Sequence, residues 1–253
     1  MTYLLIFFIT LLGWFFQGFT GFGAGVFITA VLPLFIDTKV VIVSSAVSNM
    51  IGVIYLSVKN FTKNADFKVL IPLSVGSFFG IGIGSYMLGI IPSLTLKFIL
   101  GITIVLLGIY DFFIQINKLK NFKLPDNQIT GYTIGLFAGV VSGLLGTSGP
   151  LFAIYLNQKI KHKEEFKLII SIAFFIQAIF RILFYVPNKN VWANFDLMFF
   201  LFSVPGVIIG VFIGDKLTKK VKVSTFKKII SISIIIIGIY LTLDSIYEAE
   251  NEH

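Results

Sequence analysis

Three polar side chains share one face of an apolar stretch in the second half of the chain. Gln177, Arg181 and Tyr185 follow one another at intervals of four residues, so in a helix they line up on one side. A charge well inside a membrane span costs about 2.5–3.5 kcal/mol on insertion scales, and a guanidinium donates hydrogen bonds in a fork that suits an oxyanion. The pattern predicts that Arg181, with Gln177 beside it, binds an anion. The alternative is that Arg181 extends along the helix to the lipid headgroups.

A second polar face lies in the first half of the chain. Ser45, Ser48 and Asn49 share one helical face, and Asn49 is near the middle of its apolar stretch. Asn49 and Gln177 are 128 residues apart, which suggests equivalent positions in a repeat and a shared role in binding. The alternative is that both amides bond neighbouring helices only.

Two glycine-rich motifs interrupt apolar segments. "GFTGFGAG" at 18–25 lies inside 36 uncharged residues, Met1 to Ile36, and "GLLGTSGP" occupies 143–150. Irregular backbone inside a membrane is tolerated only where it is packed in protein or lines a cavity, and the free N–H groups at the start of a half-helix bind anions. We expect each motif to form the tip of a helix hairpin. The predicted substrate contacts at the two tips are Thr20, Gly21, Gly23, Gly25, Gly146, Thr147, Ser148 and Gly149. For the hydroxyl residues among them, capping of the half-helices is the alternative.

The composition identifies the class of protein that must position these residues. Of the 253 residues, 57% are hydrophobic and 13% are charged, which predicts a polytopic membrane protein. Cysteine is absent and there are only two histidines, which excludes disulfides and argues against a thiolate or histidine metal site. The net charge of +8 is typical of basic loops that orient membrane helices, so we expect no nucleic-acid partner.

The apolar stretches form eight blocks, and the last four repeat the first four. Gly76, Gly80 and Gly84 match Gly206, Gly210 and Gly214 at an offset of 130 residues, and the two glycine motifs match at 125. Residues 1–125 are predicted as a first repeat and 126–253 as a second, a common build of secondary transporters. The predicted elements are a hairpin over 1–36 with helices over 40–58, 69–90 and 94–116, then a hairpin over 129–157 with helices over 166–186, 195–214 and 223–246.

The loop charges predict how the repeats are oriented. Sixteen of the 20 basic residues fall in four loops, and all 16 are cytoplasmic only if the first block of each repeat enters and leaves on the same side. As one helix, the first 36 residues would be about 54 Å long, against an apolar thickness of about 30 Å. The prediction is an all-α fold of two inverted repeats, each a re-entrant glycine-tipped hairpin with arms of about 15 residues plus three transmembrane helices. Both termini are then outside.

The glycine segments resemble those of a known transporter family. "GFTGFGAGVFITAVLPLF" and "VSGLLGTSGPLFAIYL" are similar to the paired glycine motifs of the sulfite exporter TauE/SafE family, also called the TSUP family, and the resemblance covers nearly the whole chain. Ala24 stands where the first motif often has a third glycine, and Ser148 replaces a glycine in the second. The resemblance implies transport of small sulfur-containing anions such as sulfite, thiosulfate or sulfonates across a bacterial cytoplasmic (inner) membrane.

The residues and the resemblance together predict a secondary transporter, acting as an exporter, that binds its anion near the midplane between the hairpin tips. A passive anion channel is the alternative. An enzyme is disfavoured because the sequence has no metal-ligand cluster, no His–Asp pair within a span and no cysteine. We expect no catalytic residues, cofactor or metal. The expected partners are a small anion and the lipid bilayer, and the prediction also allows a coupling ion, proton or sodium, and a homo-oligomer.

Overall fold

The computed structural model of the chain is built from α-helices. It describes residues 2–61, 65–115, 124–125, 127–160, 162–217 and 223–251, and these contain no β-strand. The helices are α1 (Thr2–Thr20), α2 (Ala24–Val31), α3 (Thr38–Lys59), α4 (Leu70–Ile90), α5 (Ser93–Gln115), α6 (Gln128–Leu145), α7 (Gly149–Lys159), α8 (Lys163–Tyr185), α9 (Lys189–Trp192), α10 (Leu197–Leu217) and α11 (Val223–Asn251). Short 3₁₀ turns extend α2 at Leu32–Leu34 and precede α4 at Phe67–Val69.

Most of these helices are long and apolar enough to cross a bilayer. Within the described parts of the chain, seven helices meet this condition, including both α1 and α6. The chain is therefore an integral, multi-pass membrane protein, and the expectation of an all-α membrane fold is confirmed.

In each glycine-containing segment, the chain reverses direction after the first helix and continues as a shorter second helix. Along α1 and α2, the rings of Phe16 and Phe27 are 5.2 Å apart, and a Cβ at Gly13 would lie 3.1 Å from Ile28 Cγ1. The arms are unequal: α1 has 19 residues and α2 eight, while α6 has 18 and α7 eleven. Arms of about 15 residues were expected. The difference arises because each glycine tip lies late in its apolar block, so α1 alone is about 28 Å long.

Two rows of glycines spaced four residues apart, Gly76, Gly80 and Gly84 on α4 and Gly206, Gly210 and Gly214 on α10, form two glycine ladders. Each ladder is a packing surface between the two halves of the chain. Along α10, Gly206, Gly210 and Gly214 lie against the backbone of α1, and the ladder of α4 lies against α6 in the same way. A Cβ at Gly210 would overlap the carbonyl oxygen of Leu11. Glycines let backbones approach this closely in membrane helices, so each hairpin's longer arm is held by the opposite half of the chain.

Helices α5 and α11 form a second type of pair, in which the two helices run in opposite directions. Lys97, near the start of α5, bonds Glu248 near the end of α11 at 2.9 Å, whereas Gly238, earlier in α11, lies beside Val105. The two helices are therefore antiparallel. Helices α3 and α8 also pack together, and Arg181 near the end of α8 contacts Ile42 near the start of α3.

Candidate functional site

The chain breaks its helices at two tips where glycine adopts a backbone conformation that other residues avoid. Gly21 and Gly23, between α1 and α2, have φ values of +93° and +120°, and Gly146, after α6, has +79°. Only glycine takes a positive φ without strain. The glycine motifs therefore fix the positions of the breaks, and each break leaves N–H groups at the start of the following helix without helical partners.

The starts of α2 and α7 lie against each other. A Cβ at Gly25 would be 3.2 Å from the carbonyl oxygen of Gly146 and 3.3 Å from Thr147 Oγ1. On the other side, a Cβ at Gly149 would be 3.4 Å from the ring of Phe22. Two helix N-termini, each the positive end of its peptide dipoles, therefore converge on one place inside the protein.

A small cavity lies at this meeting point, lined by the tips and by α1, α3, α6 and α8. Its volume is about 60 Å³. Since about 10–15 Å³ of such space holds one water, the cavity has room for one anion of a few heavy atoms. Nine of the eleven predicted site residues line it: Gly23, Gly25, Asn49, Gly146, Thr147, Ser148, Gly149, Gln177 and Arg181.

Arg181 supplies a buried positive charge at the cavity wall. The residue is 4% exposed, and its guanidinium donates to the Ile42 carbonyl at 2.7 Å and to Tyr185 Oη at 3.2 Å. Tyr185 in turn donates to the carbonyl of Gly143 at 2.7 Å. Among the described residues, no carboxylate lies within ion-pair distance of this guanidinium. Arg181 therefore lies inside the protein rather than extending to the headgroups, and its charge is not neutralised by a described acid.

Gln177 holds the start of α7 in place. Its Oε1 accepts from Ser148 Oγ at 2.6 Å, and its Nε2 donates to Ser77 Oγ at 3.2 Å. Ser77, on α4, donates onward to the Gly135 carbonyl of α6. Because both ends of the Gln177 amide are engaged, this residue positions the tip.

Two further residues, which the sequence patterns did not indicate, shape the opposite wall. Trp14 donates from Nε1 to Asn49 Oδ1 at 2.8 Å. Gln17 accepts the backbone N–H of Ala24 at 3.0 Å and so caps the first turn of α2. Gln17 immediately precedes the first glycine motif, and this adjacency is the one feature of the sequence that could have indicated its place in the site.

Asn49 and Gln177 both line the cavity, on α3 and α8. These two helices start 125 residues apart, and at that spacing Phe174 follows Asn49 and Gly52 precedes Gln177. Phe174 also lines the cavity, and the ring of Trp14 fills the space beside Gly52.

Two of the predicted site residues lie outside the cavity lining. Thr20 Oγ1 donates to the carbonyl of Phe16 at 2.9 Å and accepts the N–H of Phe22 at 3.3 Å, so it shapes the turn between α1 and α2. A Cβ at Gly21 would be 3.2 Å from Lys167 Cγ, so this glycine faces α8.

Comparison with known proteins gives one family. A family model described as "Sulfite exporter TauE/SafE" matches residues 5–241. No curated protein and no solved structure gives a significant match to the chain.

Proposed function

The chain belongs to the sulfite exporter TauE/SafE family, whose model matches nearly its whole length, and we propose that it is a secondary transporter that exports a small sulfur-containing anion. The family is one of membrane transporters of sulfur-containing anions, and this chain has the apolar helices that such a role requires. Sulfite, thiosulfate and small sulfonates are the proposed substrates. The proposed site is the cavity between the two tips, in the cytoplasmic membrane of a bacterium.

The single observation that best supports this proposal is the environment of Arg181. A buried cation without a neighbouring carboxylate is costly in a membrane protein, and an anionic ligand in the adjoining cavity would offset that cost. The start of α7 adds to the positive potential at the cavity. Ser148 donates its hydroxyl to Gln177 and does not cap the helix, so the first N–H groups of α7 are not engaged by that side chain. The backbone N–H groups there are in a position to donate to an anion.

The proposed architecture is an inverted repeat of residues 1–125 and 126–253. Helices α5 and α11 start 130 residues apart, the offset of the glycine ladders, and they pack antiparallel. Equivalent helices related by an axis along the membrane normal would run parallel, whereas an axis in the membrane plane makes them antiparallel. In this proposal the longer arm of each hairpin crosses most of the bilayer and the shorter arm returns part of the way.

We propose a carrier rather than a passive channel. The cavity of about 60 Å³ has room for one bound anion, which is compatible with a carrier. Coupling to a proton or sodium gradient, and assembly into a homo-oligomer, are compatible with this proposal.

Transport in proteoliposomes tests the proposal. Purified protein should be reconstituted and assayed for flux of labelled sulfite, thiosulfate, sulfate and a small sulfonate, with and without imposed proton and sodium gradients. Saturable flux of at least one anion that responds to a gradient is expected, and Arg181→Ala protein should lack it. Flux that follows the electrical potential without saturation would instead indicate a channel, and no flux of any of the four would contradict the proposal.

A further inference from the structure

Besides Gln177, the cavity lining contains two amide side chains whose oxygens are already engaged. Gln17 is 4% exposed, and its Oε1 accepts the N–H of Ala24. Asn49 Oδ1 accepts the indole N–H of Trp14. With the oxygen of each amide held in this way, the amide nitrogen is the group that remains for the cavity. Both nitrogens carry two N–H donors and no acceptor.

The other polar side chains around the cavity can also donate. Arg181 donates only, and the hydroxyls of Ser142 and Thr147 can turn their protons toward a bound oxygen. These hydroxyls also have acceptor lone pairs, but a hydroxyl that accepts a proton from the ligand turns its own proton away and is lost as a donor to the anion. The carbonyl oxygens of Gln17 and Ser142 already accept backbone N–H groups, from Gly21 at 2.7 Å and from Gly146 at 3.0 Å. Among the described residues that line the cavity, none is an aspartate or a glutamate.

We propose that this lining, with Gln17 and Asn49 as substrate donors opposite Arg181, selects oxyanions that carry no O–H group. The inference rests on the proposed function, because it assigns the cavity as the anion site. An anion with an O–H, such as hydrogen phosphate, must find an acceptor for its proton. In this cavity that proton faces N–H donors, or a hydroxyl that must give up its own bond to the anion. Either way one buried hydrogen bond is lost, which weakens binding by about ten- to a hundredfold. Sulfate, thiosulfate and sulfite, with bare oxygens, avoid this loss.

Binding of matched anion pairs to the detergent-purified protein tests the selection. At mildly alkaline pH, sulfate and hydrogen phosphate have the same charge and nearly the same size, and they differ in one proton. Thiosulfate and hydrogen thiophosphate form a second such pair. Isothermal titration calorimetry should give at least about tenfold tighter binding of the bare anion in a pair. Equal affinity for both members would overturn the inference and leave the proposed function standing. Binding of none of the four by folded protein would overturn the inference, and the same titration with sulfite and a small sulfonate then decides whether the proposed function falls with it.

An isosteric variant tests the assignment to Gln17. In Gln17→Glu one carboxylate oxygen can still accept the Ala24 N–H, while the other replaces the amide nitrogen that faces the cavity. The added negative charge should weaken all four anions. The ratio of hydrogen phosphate to sulfate affinity should nevertheless rise by about tenfold, because the new oxygen accepts the O–H proton.

The matched control is Gln158→Glu. Gln158 makes the same type of bond, accepting the N–H of Leu124 at 2.9 Å, but it is exposed and lies outside the cavity lining. This variant should leave both affinities and their ratio unchanged. If Gln17→Glu weakened both anions by the same factor, the effect would be one of charge alone and the selection by donors would be overturned.

Discussion

Lys167 donates from Nζ to the carbonyl oxygen of Gly18 at 2.8 Å, and so joins α8 to the end of α1 beside the first glycine tip. The same ammonium group lies 3.4 Å from Asp215 of α10, which also pairs with Lys59 of α3. The side chains of Lys167 and Asp215 are 4% and 9% exposed. Four helices that approach the first tip are therefore held together by one buried acid and two lysines.

Replacing that acid should destabilise the protein strongly. In Asp215→Asn, Lys167 keeps its burial but loses its ion pair with Asp215, and removal of one partner from a buried pair costs about 3–5 kcal/mol. The control is Glu248→Gln: Glu248 is 48% exposed, and its partner Lys97 keeps Asp244, so the loss should be about 0–1 kcal/mol. Unfolding of both variants in the same detergent measures the difference. Equal losses would show that the Asp215 cluster is no stronger than an exposed pair.

Substitutions of Arg181 should separate its charge from its geometry. Arg181→Lys keeps the charge, but a lysine lacks the fork that reaches two acceptors, so anion affinity should fall by about tenfold. Arg181→Ala also removes the charge and should lower affinity by about a hundredfold. Binding to monodisperse protein is the measurement. Tyr185→Phe keeps the charge and removes only one acceptor of the guanidinium, so its effect should be smaller than that of Arg181→Ala. Wild-type affinity in Arg181→Ala would exclude this residue from the anion site.

The two tips should respond differently to alanine. Gly23 has φ +120° and open space around the added Cβ, so Gly23→Ala is opposed by backbone strain alone, of about 1–3 kcal/mol. Gly149 has no positive φ, and its Cβ would make ordinary contacts with Phe22 and Phe174. Transport should therefore be lost in Gly23→Ala and retained in Gly149→Ala. Valine at either position should abolish transport, at Gly149 by crowding those two rings. Full activity in both valine variants would show that the tips do not contact the anion.

Alanine substitution of glycines in α4 should destabilise the protein on one face of the helix only, the face that carries the glycine ladder. A Cβ at Gly80 would overlap the carbonyl oxygen of Leu136, so Gly80→Ala must separate α4 from α6, and we expect a loss of about 3 kcal/mol or more. At Gly82, the nearest atoms belong to the ring of Phe184, 3.2 Å away, and a side chain can yield. Gly82→Ala should therefore unfold close to the wild-type temperature, and a loss equal to that of Gly80→Ala would contradict the packing argument.

Reporter fusions test the proposed orientation. Fusions at Lys63, Lys120, Lys161 and Lys220 should all report the cytoplasm, because 16 of the 20 basic residues then lie on one side. These four positions lie outside the described residues. Two of the four reporting the exterior would contradict the inverted-hairpin topology.

Local features of the sequence determined where the helices begin and end. The apolar runs predict membrane helices because lipid leaves no alternative for the backbone. Asp37 starts α3 by accepting the N–H groups of Lys39 and Val40, and the glycine motifs set both breaks because a positive φ excludes other residues. The same motifs, with the polar face around Arg181, brought nine of eleven predicted residues to one cavity.

Tertiary structure alone decided which helices meet and what each polar group contacts. In an apolar sequence, faces that contact lipid and faces that contact protein have similar composition, so no pattern showed that α1 packs on α10. Lys167 was counted with the loop lysines, and it is buried because Asp215, 48 residues away in sequence, comes beside it. Gln17 and Trp14 join the site for the same reason: their partners come beside them only when the hairpin has folded and α3 has packed against it.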